Sequence, residues 1–366
     1  MKYIAIVGRQ PEISIAEIEA LFGGIKRINS RVVGFESEKL PDIDRLGGSL
    51  KIGQKIEGPT VAYMMGLPEG KITLGVSDYS KNATQKTATM EALKLKKILI
   101  RHGRSVRVVS NRDAVLSTAT TLHNGMSGKN ERKVELLRVN NNEWYKVVGV
   151  QDIDAYSKRD QARPARDAKV GMLPPKLAQI LINLCGRLPK DAVVLDPFCG
   201  TGVVLQEAML MGQKAYGTDI NERMIEYSER NLAHYGFTDY RLAVGDATRY
   251  QWQQPIDAVA CEGYLGKPFS RAPSEIEIKT QRNECGAIFM GFLKNLSGQI
   301  QSGTPVTVAM PAWLGHDGWY ERLFLPKTID EIDNMGYNVS NKSREGLLYY
   351  REGQAVARDI IILRKK

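Results

Sequence analysis

The sequence predicts an α/β protein in two parts. The first half mixes short strands and helices, and the second is built on a parallel sheet covered by helices on both faces. Three observations lead there. The 366 residues exceed what one ordinary core holds, so two or more domains are expected. From residue 176 onward, apolar strand signals alternate with helical ones in the order that packs helices on a parallel sheet. The charge is also unevenly divided. Residues 1–165 carry 27 Lys+Arg against 18 Asp+Glu, a net +9, whereas residues 166–366 carry 24 against 23, a net +1. Such asymmetry points to a polyanion-binding half joined to a balanced one, although an inert basic surface has the same signature.

In the first half, YIAIVG reads as a strand and SIAEIEALFGG as the helix after it. Ser14 is placed to cap that helix, with Glu17 three residues on and Gly23 or Gly24 as the stop. Further strands are expected in RVVGFES, KITLGVS, SVRVVS, KVELLRV and WYKVVGV. Between them, ATMEALKLKKILIRHG sets Ala88, Ala92, Leu95 and Leu99 on one helical face and Lys94, Lys97 and Arg101 on another. Arg104 and Arg107 follow after Gly103. This half holds no nucleotide fingerprint, acid pair or histidine cluster, so binding suits it better than chemistry. The polar stretch SKRDQARPARDAKVGMLPP, with Pro164, Pro174 and Pro175, reads as a linker or strap and puts a domain boundary near residues 155–170.

The second half opens with a helix over Lys176 to Leu184. Then come strand AVVLD, turn PFCGTG, helix VVLQEAMLM, strand KAYGTD, helix NERMIEYSERNLAHYG and strands RLAVGD and DAVACEG. Helix ECGAIFMGFLKNLSGQI, strand PVTVAM, helix TIDEIDNMG and a closing hairpin through Gly353 complete the chain. That hairpin is expected to supply antiparallel edge strands.

Several classes fall away. Cys185, Cys199, Cys261 and Cys285 form no C-x-x-C pair and have no histidine at ligand spacing, so neither a metal site nor a disulfide framework is expected. Uninterrupted apolar runs reach only five residues, against the roughly 20 of a membrane span. The opening MKYIAIVGRQ reads as a strand rather than a leader, so a cytoplasmic protein without membrane contact is expected.

AVVLDPFCGTG carries the chemistry. A strand delivers Asp196 to its end, and Gly200 and Gly202 turn the chain into a helix, with no β-carbon to keep a ligand from the backbone. A dinucleotide fingerprint would want a third glycine where Leu205 stands, and no phosphate-binding G-x-x-x-x-G-K-[ST] loop occurs. The D-x-x-x-G-x-G form resembles motif I of the class I S-adenosylmethionine-dependent methyltransferases. Asp219 ends the next strand, where an ionised carboxylate can accept from both ribose hydroxyls of S-adenosyl-L-methionine. Asp246 ends the strand after that, placed to accept from the adenine amine. Each alone is an ordinary solvated strand-end acid; three in succession define a cofactor site. The candidate contacts are Asp196, Pro197, Phe198, Cys199, Gly200, Thr201, Gly202, Asp219, Ile220, Asp246 and Ala247.

In that frame DAVACEGYLG is the fourth strand end, where amino-methyltransferases of nucleic acids carry [D/N]-P-P-[Y/F]. The chemistry needs an acceptor for an exocyclic amine and an aromatic face for the base. Glu262 is the candidate acceptor and Tyr264 the candidate stacking ring, with one proline lost and Gly263 replacing the other. Aligned on the tyrosine instead, Cys261 takes the acid's place.

DPFCGTG followed by GTDINERMIEYSERNL resembles the THUMP-associated tRNA guanine-N2 methyltransferases of the position-10 guanosine type and their bacterial relatives. RDQARPARDAKVGMLPPKLAQILINL is similar to that family's strap, LLYYREGQAVARDIIILRK to its closing hairpin, and GRQPEISIAEIEALFG, LSTATTLHNGM and VVGVQDIDAYSKRD to its N-terminal half. The resemblance implies a ferredoxin-like segment over 1–50, a THUMP-like RNA-binding domain over 51–155 and a strap over 156–172. A Rossmann-like methyltransferase domain would follow over 173–366. It also implies an RNA substrate, tRNA in the family, and leaves room for a small activator subunit. With Arg159 and Arg163 of the strap, the candidate RNA contacts are Lys94, Lys97, Arg101, Arg104, Arg159 and Arg163. Two other readings stay open: a DNA or other RNA amino-methyltransferase, and an RNA-binding protein whose methyltransferase domain is inactive.

Overall fold

Short, largely buried strands draw the first 150 residues into one sheet. In chain order its elements are β1 (Lys2–Val7), α1 (Pro11–Phe22), β2 (Lys26–Arg27), β3 (Val32–Glu36), β4 (Ser49–Lys55) and α2 (Thr60–Met65). Then follow β5 (Ile72–Asp78), α3 (Gln85–Arg101), β6 (Val106–Val108), α4 (Thr118–His123), β7 (Lys133–Val139) and β8 (Glu143–Val150). The strands order as β2-β3-β1-β4-β8-β7-β5-β6, with β5 parallel to both its neighbours. The structure, a computed structural model, describes residues 1–140, 143–167, 172–253, 255–269, 273–315, 317–323, 326–341 and 346–366. Residues 168–171 of the expected strap lie outside these. The chain divides into two units, Met1–Ala155 and Tyr156–Lys366.

Two local expectations for the first unit are corrected. Ser14 does not cap α1. Pro11 takes the first helical turn, where its missing N–H costs nothing, and the Ser14 hydroxyl donates back to Gln10 O at 3.1 Å. Glu17 is fully buried and accepts from the backbone amides of Gly47 and Gly48. Strand β4 was not foreseen because SLKIGQK carries a lysine where an inward residue belongs. Lys51 is nevertheless buried. Its Nζ donates to both Glu135 carboxylate oxygens, to Thr121 Oγ1 and to Leu116 O. Every ammonium proton and both carboxylate oxygens are therefore satisfied, the condition for burying such a pair.

In the second unit, α5 (Ile153–Gln161, beginning just before the division) leads to α6 (Pro175–Leu184), β9 (Val193–Asp196), α7 (Val203–Leu210), β10 (Lys214–Asp219), α8 (Glu222–His234), β11 (Tyr240–Val244) and β12 (Ala258–Glu262). After them come α9 (Glu275–Ser297), β13 (Pro305–Leu314), β14 (Tyr320–Arg322), α10 (Pro326–Asn334), β15 (Tyr337–Val339), β16 (Leu347–Tyr349) and β17 (Val356–Lys365). The order is β11-β10-β9-β12-β13-β17-β15, parallel from β11 to β13, with β14 on β13 and β16 on β17. This is the Rossmann-like α/β architecture expected. Its central strands β9 and β12 are nearly continuous apolar runs, as a strand covered on both faces must be. Helix α9 supplies much of the cover with buried Phe289, Phe292, Leu293 and Leu296, each burial worth about 1.5–3 kcal/mol.

The closing hairpin turns through Gly353 as expected, but β17 is not an edge strand. It lies antiparallel between β13 and β15. Its burial pattern leaves only one exposed residue in ten, which an edge would not tolerate.

Candidate functional site

Between β9 and β12 the strand order reverses direction, with β10 and β11 on one side and β13 on the other. Ligands of open α/β sheets bind beyond the carboxyl ends of the strands at such a point. A crevice of about 1280 Å³ opens there, and it brings together every residue singled out for the cofactor except Gly202, which does not line it, and both singled out for catalysis. The four strand-end acids Asp196, Asp219, Asp246 and Glu262 all line it.

Asp196 is buried, and its Oδ1 accepts from Phe198 N at 3.0 Å. Burial pushes its carboxyl well above the usual carboxylate range, and nearby Asp219 and Glu262 push it further. Asp219 is fixed by two backbone amides, Gly200 N to Oδ2 at 2.9 Å and Asn221 N to Oδ1 at 2.9 Å. Each oxygen keeps a lone pair for an incoming hydroxyl. Burial raises the pKa of Asp219 against the pull of those amides. At the third strand end, Asp246 Oδ1 accepts from the Thr248 amide and hydroxyl, and Oδ2 pairs with Arg249 Nε at 3.1 Å. The Thr248 hydrogen bonds, joined by Arg249, hold this carboxyl below its ordinary value. Ile220 stands 70% exposed on the rim, an aliphatic surface open to a flat ring.

The two glycines of the turn serve different ends. Both are left-handed, Gly200 at φ 52° and Gly202 at φ 80°. A Cβ on Gly202 would sit 2.9 Å from Ser228 Oγ and 3.2 Å from its Cα, so this glycine lets α8 approach the start of α7. At Gly200 the nearest atom would be 3.9 Å away, leaving open space. The left-handed backbone is thus what favours glycine at Gly200, where the space beside it is open, and helix packing adds its own demand at Gly202. Cys199, just before the first glycine, and Thr201, between the two, are buried, and burial pushes the Cys199 thiol well above its usual value. Pro197 O accepts from Thr218 Oγ1, Phe198 meets Phe292 edge to face at 5.3 Å, and Ala247 is buried beneath Asp246.

At the fourth strand end, Gly263 N donates to Ala309 O at 2.9 Å, extending the ladder from β12 to β13 by one bond. A Cβ at Gly263 would lie 2.3 Å from Met310 Sδ. A proline there would lose the bond and strike the sulfur, which accounts for the glycine in CEGY. Tyr264 follows, half-buried on the crevice wall. Arg358 of β17 donates through Nε to Glu262 Oε1. Burial raises the Glu262 pKa, and Arg358 opposes the rise. Sequence reasoning missed Arg358; its one signal was the charged pair Arg358-Asp359 set inside the apolar run AVARDIII.

The basic residues divide. Lys94, Lys97 and Arg101 are exposed along α3, as expected. Arg104 instead donates to the carbonyls of Met65, Leu67 and Pro68 and so staples a turn of its own unit. The strap arginines face inward. Arg159 pairs with buried Glu207 at 3.0 Å, and Arg163, 3% exposed, donates to Thr201 Oγ1 at 3.3 Å. Arg163 is therefore sealed from the surface where RNA was expected to meet it, whereas Arg159 keeps 16% of its side chain exposed. Their role is to tie the strap to the glycine turn, helped by Asn231, which bridges Ala165 O and Thr201 O. Among the described residues there is no metal-holding group of His, Cys, Asp or Glu, and no helix is long and apolar enough to cross a membrane.

Sheet and crevice define an S-adenosylmethionine-dependent methyltransferase, and residues 188–299 match the family model of a methyltransferase domain. Residues 83–230 also match a DNA methylase model. A tRNA (guanine(10)-N2)-dimethyltransferase from Pyrococcus abyssi is 32% identical over 283 residues, spanning 73% of this chain and 78% of its own. The chain belongs to that family. The enzyme of the same name from Methanothermobacter thermautotrophicus is 32% identical over 167 residues, and the chain spans only 47% of its length. The crystal structure of TrmN from Thermus thermophilus aligns over 100% of both chains at 17% identity with a TM-score of 0.48.

Proposed function

We propose that the crevice binds S-adenosyl-L-methionine and that the protein methylates the N2 amine of a guanosine in tRNA. The observation that carries this reading is the meeting, in one crevice, of the Asp219 and Asp246 carboxylates with Glu262 and Tyr264. The cofactor fits the residues present. Asp219, already oriented by two amides, would hold the ribose hydroxyls, while Ile220 and Ala247 would flank the adenine and Asp246 its amine. When bound, the group supplies a methyl made electrophilic by its sulfonium.

The rest is alignment, because an in-line displacement needs its partners held in reach more than it needs covalent help. Tyr264 would stack the base, and Glu262 would accept from its amine. The basic first unit, a THUMP-type domain after a ferredoxin-like segment, would hold the RNA through Lys94, Lys97 and Arg101 of α3. Guanine and tRNA come from the names of the relatives. With tRNA as substrate the protein would act in the cytoplasm, and a small activator subunit is a further partner that the family resemblance leaves room for.

A second reading, DNA amino-methylation, is favoured by the match to the DNA methylase model. Incubation with labelled donor, total tRNA and duplex DNA decides between them. Label is expected in tRNA as N2-methylated guanosine. Label in DNA alone would establish the second reading, and RNA binding without label would mean an inactive domain.

A further inference from the structure

Glu262 is not alone at its strand end. It closes β12 beside Ala309 of β13, and β17 runs antiparallel along the far side of β13 with Arg358 opposite Pro311. The Arg358 side chain therefore crosses β13 to reach Glu262 Oε1 through Nε, and both residues line the crevice. Its sequence neighbour Asp359 is taken by another cation, since Arg322 grips both Asp359 oxygens at 2.5 and 3.1 Å. Adjacent residues of a strand face opposite ways, so the two ion pairs stay separate.

Resting on the reading of Glu262 as the amine's acceptor, we propose that Arg358 is a positioning residue for methyl transfer. It holds Glu262 as a carboxylate with one oxygen committed to the guanidinium and the other left for the amine. The groups around Glu262 show why such a residue is needed. β9 contributes the acid Asp196 and β12 Cys261, with Cys185 at the end of α6 behind it, while α9 brings Glu284 and Cys285 to the neighbouring Tyr264. β13 contributes Ala309, Met310 and Pro311, none of which titrates. Two cations, Lys267 and Arg358, are among the described residues lining the crevice, and Arg358 is the one paired with Glu262. A carboxyl in a buried, acidic crevice without a counter-ion takes up a proton, and although its carbonyl oxygen can still accept a hydrogen bond, it can no longer take the proton that the amine must shed.

In the step itself, the amine nitrogen's lone pair forms the N–CH3 bond as the S–CH3 bond breaks. The bonding pair stays on sulfur, which leaves as a neutral thioether. The nitrogen's surplus proton passes to Glu262, which must therefore begin ionised.

The test uses the full chain with Arg358→Gln and Arg358→Lys, measuring methyl transfer to tRNA between about pH 6 and 9 and donor affinity by calorimetry. Arg358→Gln is expected to lose about 10²-fold in kcat at neutral pH while its rate climbs toward alkaline pH as Glu262 ionises. Donor affinity should hold within about twofold, because the cofactor carboxylates lie on other strands. Arg358→Lys should recover part of the rate and shift the profile back toward neutral pH. A loss equal at every pH, or no loss, in either variant would overturn the proposal. Glu262→Ala separates the two layers. If it is fully active, the acceptor reading itself fails. If it is inactive while both Arg358 variants keep the wild-type profile, only the role of Arg358 fails.

Discussion

Asp219 shows how much of the site is set before any ligand arrives. Its two oxygens are held by the amides of Gly200 and Asn221, so the carboxylate is aimed by the turn it will serve. Asp219→Ala should cost about 1.5–3 kcal/mol of donor affinity, the range for hydrogen bonds to a charged group. Unchanged calorimetric affinity would remove Asp219 from the site. Gly263 makes the opposite case, a residue whose identity is dictated by packing. Gly263→Pro brings the motif nearer the [D/N]-P-P-[Y/F] form yet orphans Ala309 O and strikes Met310. The orphaned carbonyl alone is worth about 1–3 kcal/mol of stability, so the denaturation midpoint should fall; an unmoved midpoint would contradict the packing account. The acids were legible in the sequence because each ends an apolar strand. The contact of Arg358 with Glu262 was not, because it depends on β17 lying beside β13, which no local pattern states.

At the scale of elements, α3 and the strap show which basic residues can be read from spacing. Lys94, Lys97 and Arg101 share a helical face, and periodicity alone put them outside. Charge reversal of all three should weaken RNA binding and reduce its salt slope by up to about 3, roughly one for each phosphate released. An unaltered slope would make this face an ordinary solvated surface. In the strap the same residue type turns inward, and sequence has no means of telling Arg163 on Thr201 from an arginine in solvent.

The strap also leaves a pH signature. Burial raises the carboxyl of Glu207, the partner of Arg159, to about 7. Unfolded, it titrates near about 4.3. Between these values the folded chain holds a proton that the unfolded chain has released. Its contribution to stability is therefore complete below the window and lost as pH rises through it. Urea denaturation at about pH 5 and pH 7.5 should show a steeper decline for wild type than for Glu207→Gln. Parallel declines would contradict the assignment.

At the scale of the whole molecule, the chain joins a basic α+β unit to a methyltransferase unit, each with its own sheet. The class of the second unit was readable because a parallel sheet imposes strand–helix alternation and its switch point imposes the order of the acids. The sheet of the first unit was less readable. Lys51 hid β4, and the pairing of β4 with both β1 and β8 unites segments that composition would separate. Everything functional rests on the crevice beyond β9, β10, β11 and β12 being a cradle for the methyl donor. The direct measurement is a crystal structure of the protein with S-adenosylhomocysteine, the donor's demethylated product. The ribose hydroxyls should lie within hydrogen-bond distance of Asp219, with the adenine against Ile220 and its amine toward Asp246. An empty crevice at saturating ligand, or the ligand bound elsewhere on the chain, would contradict the account.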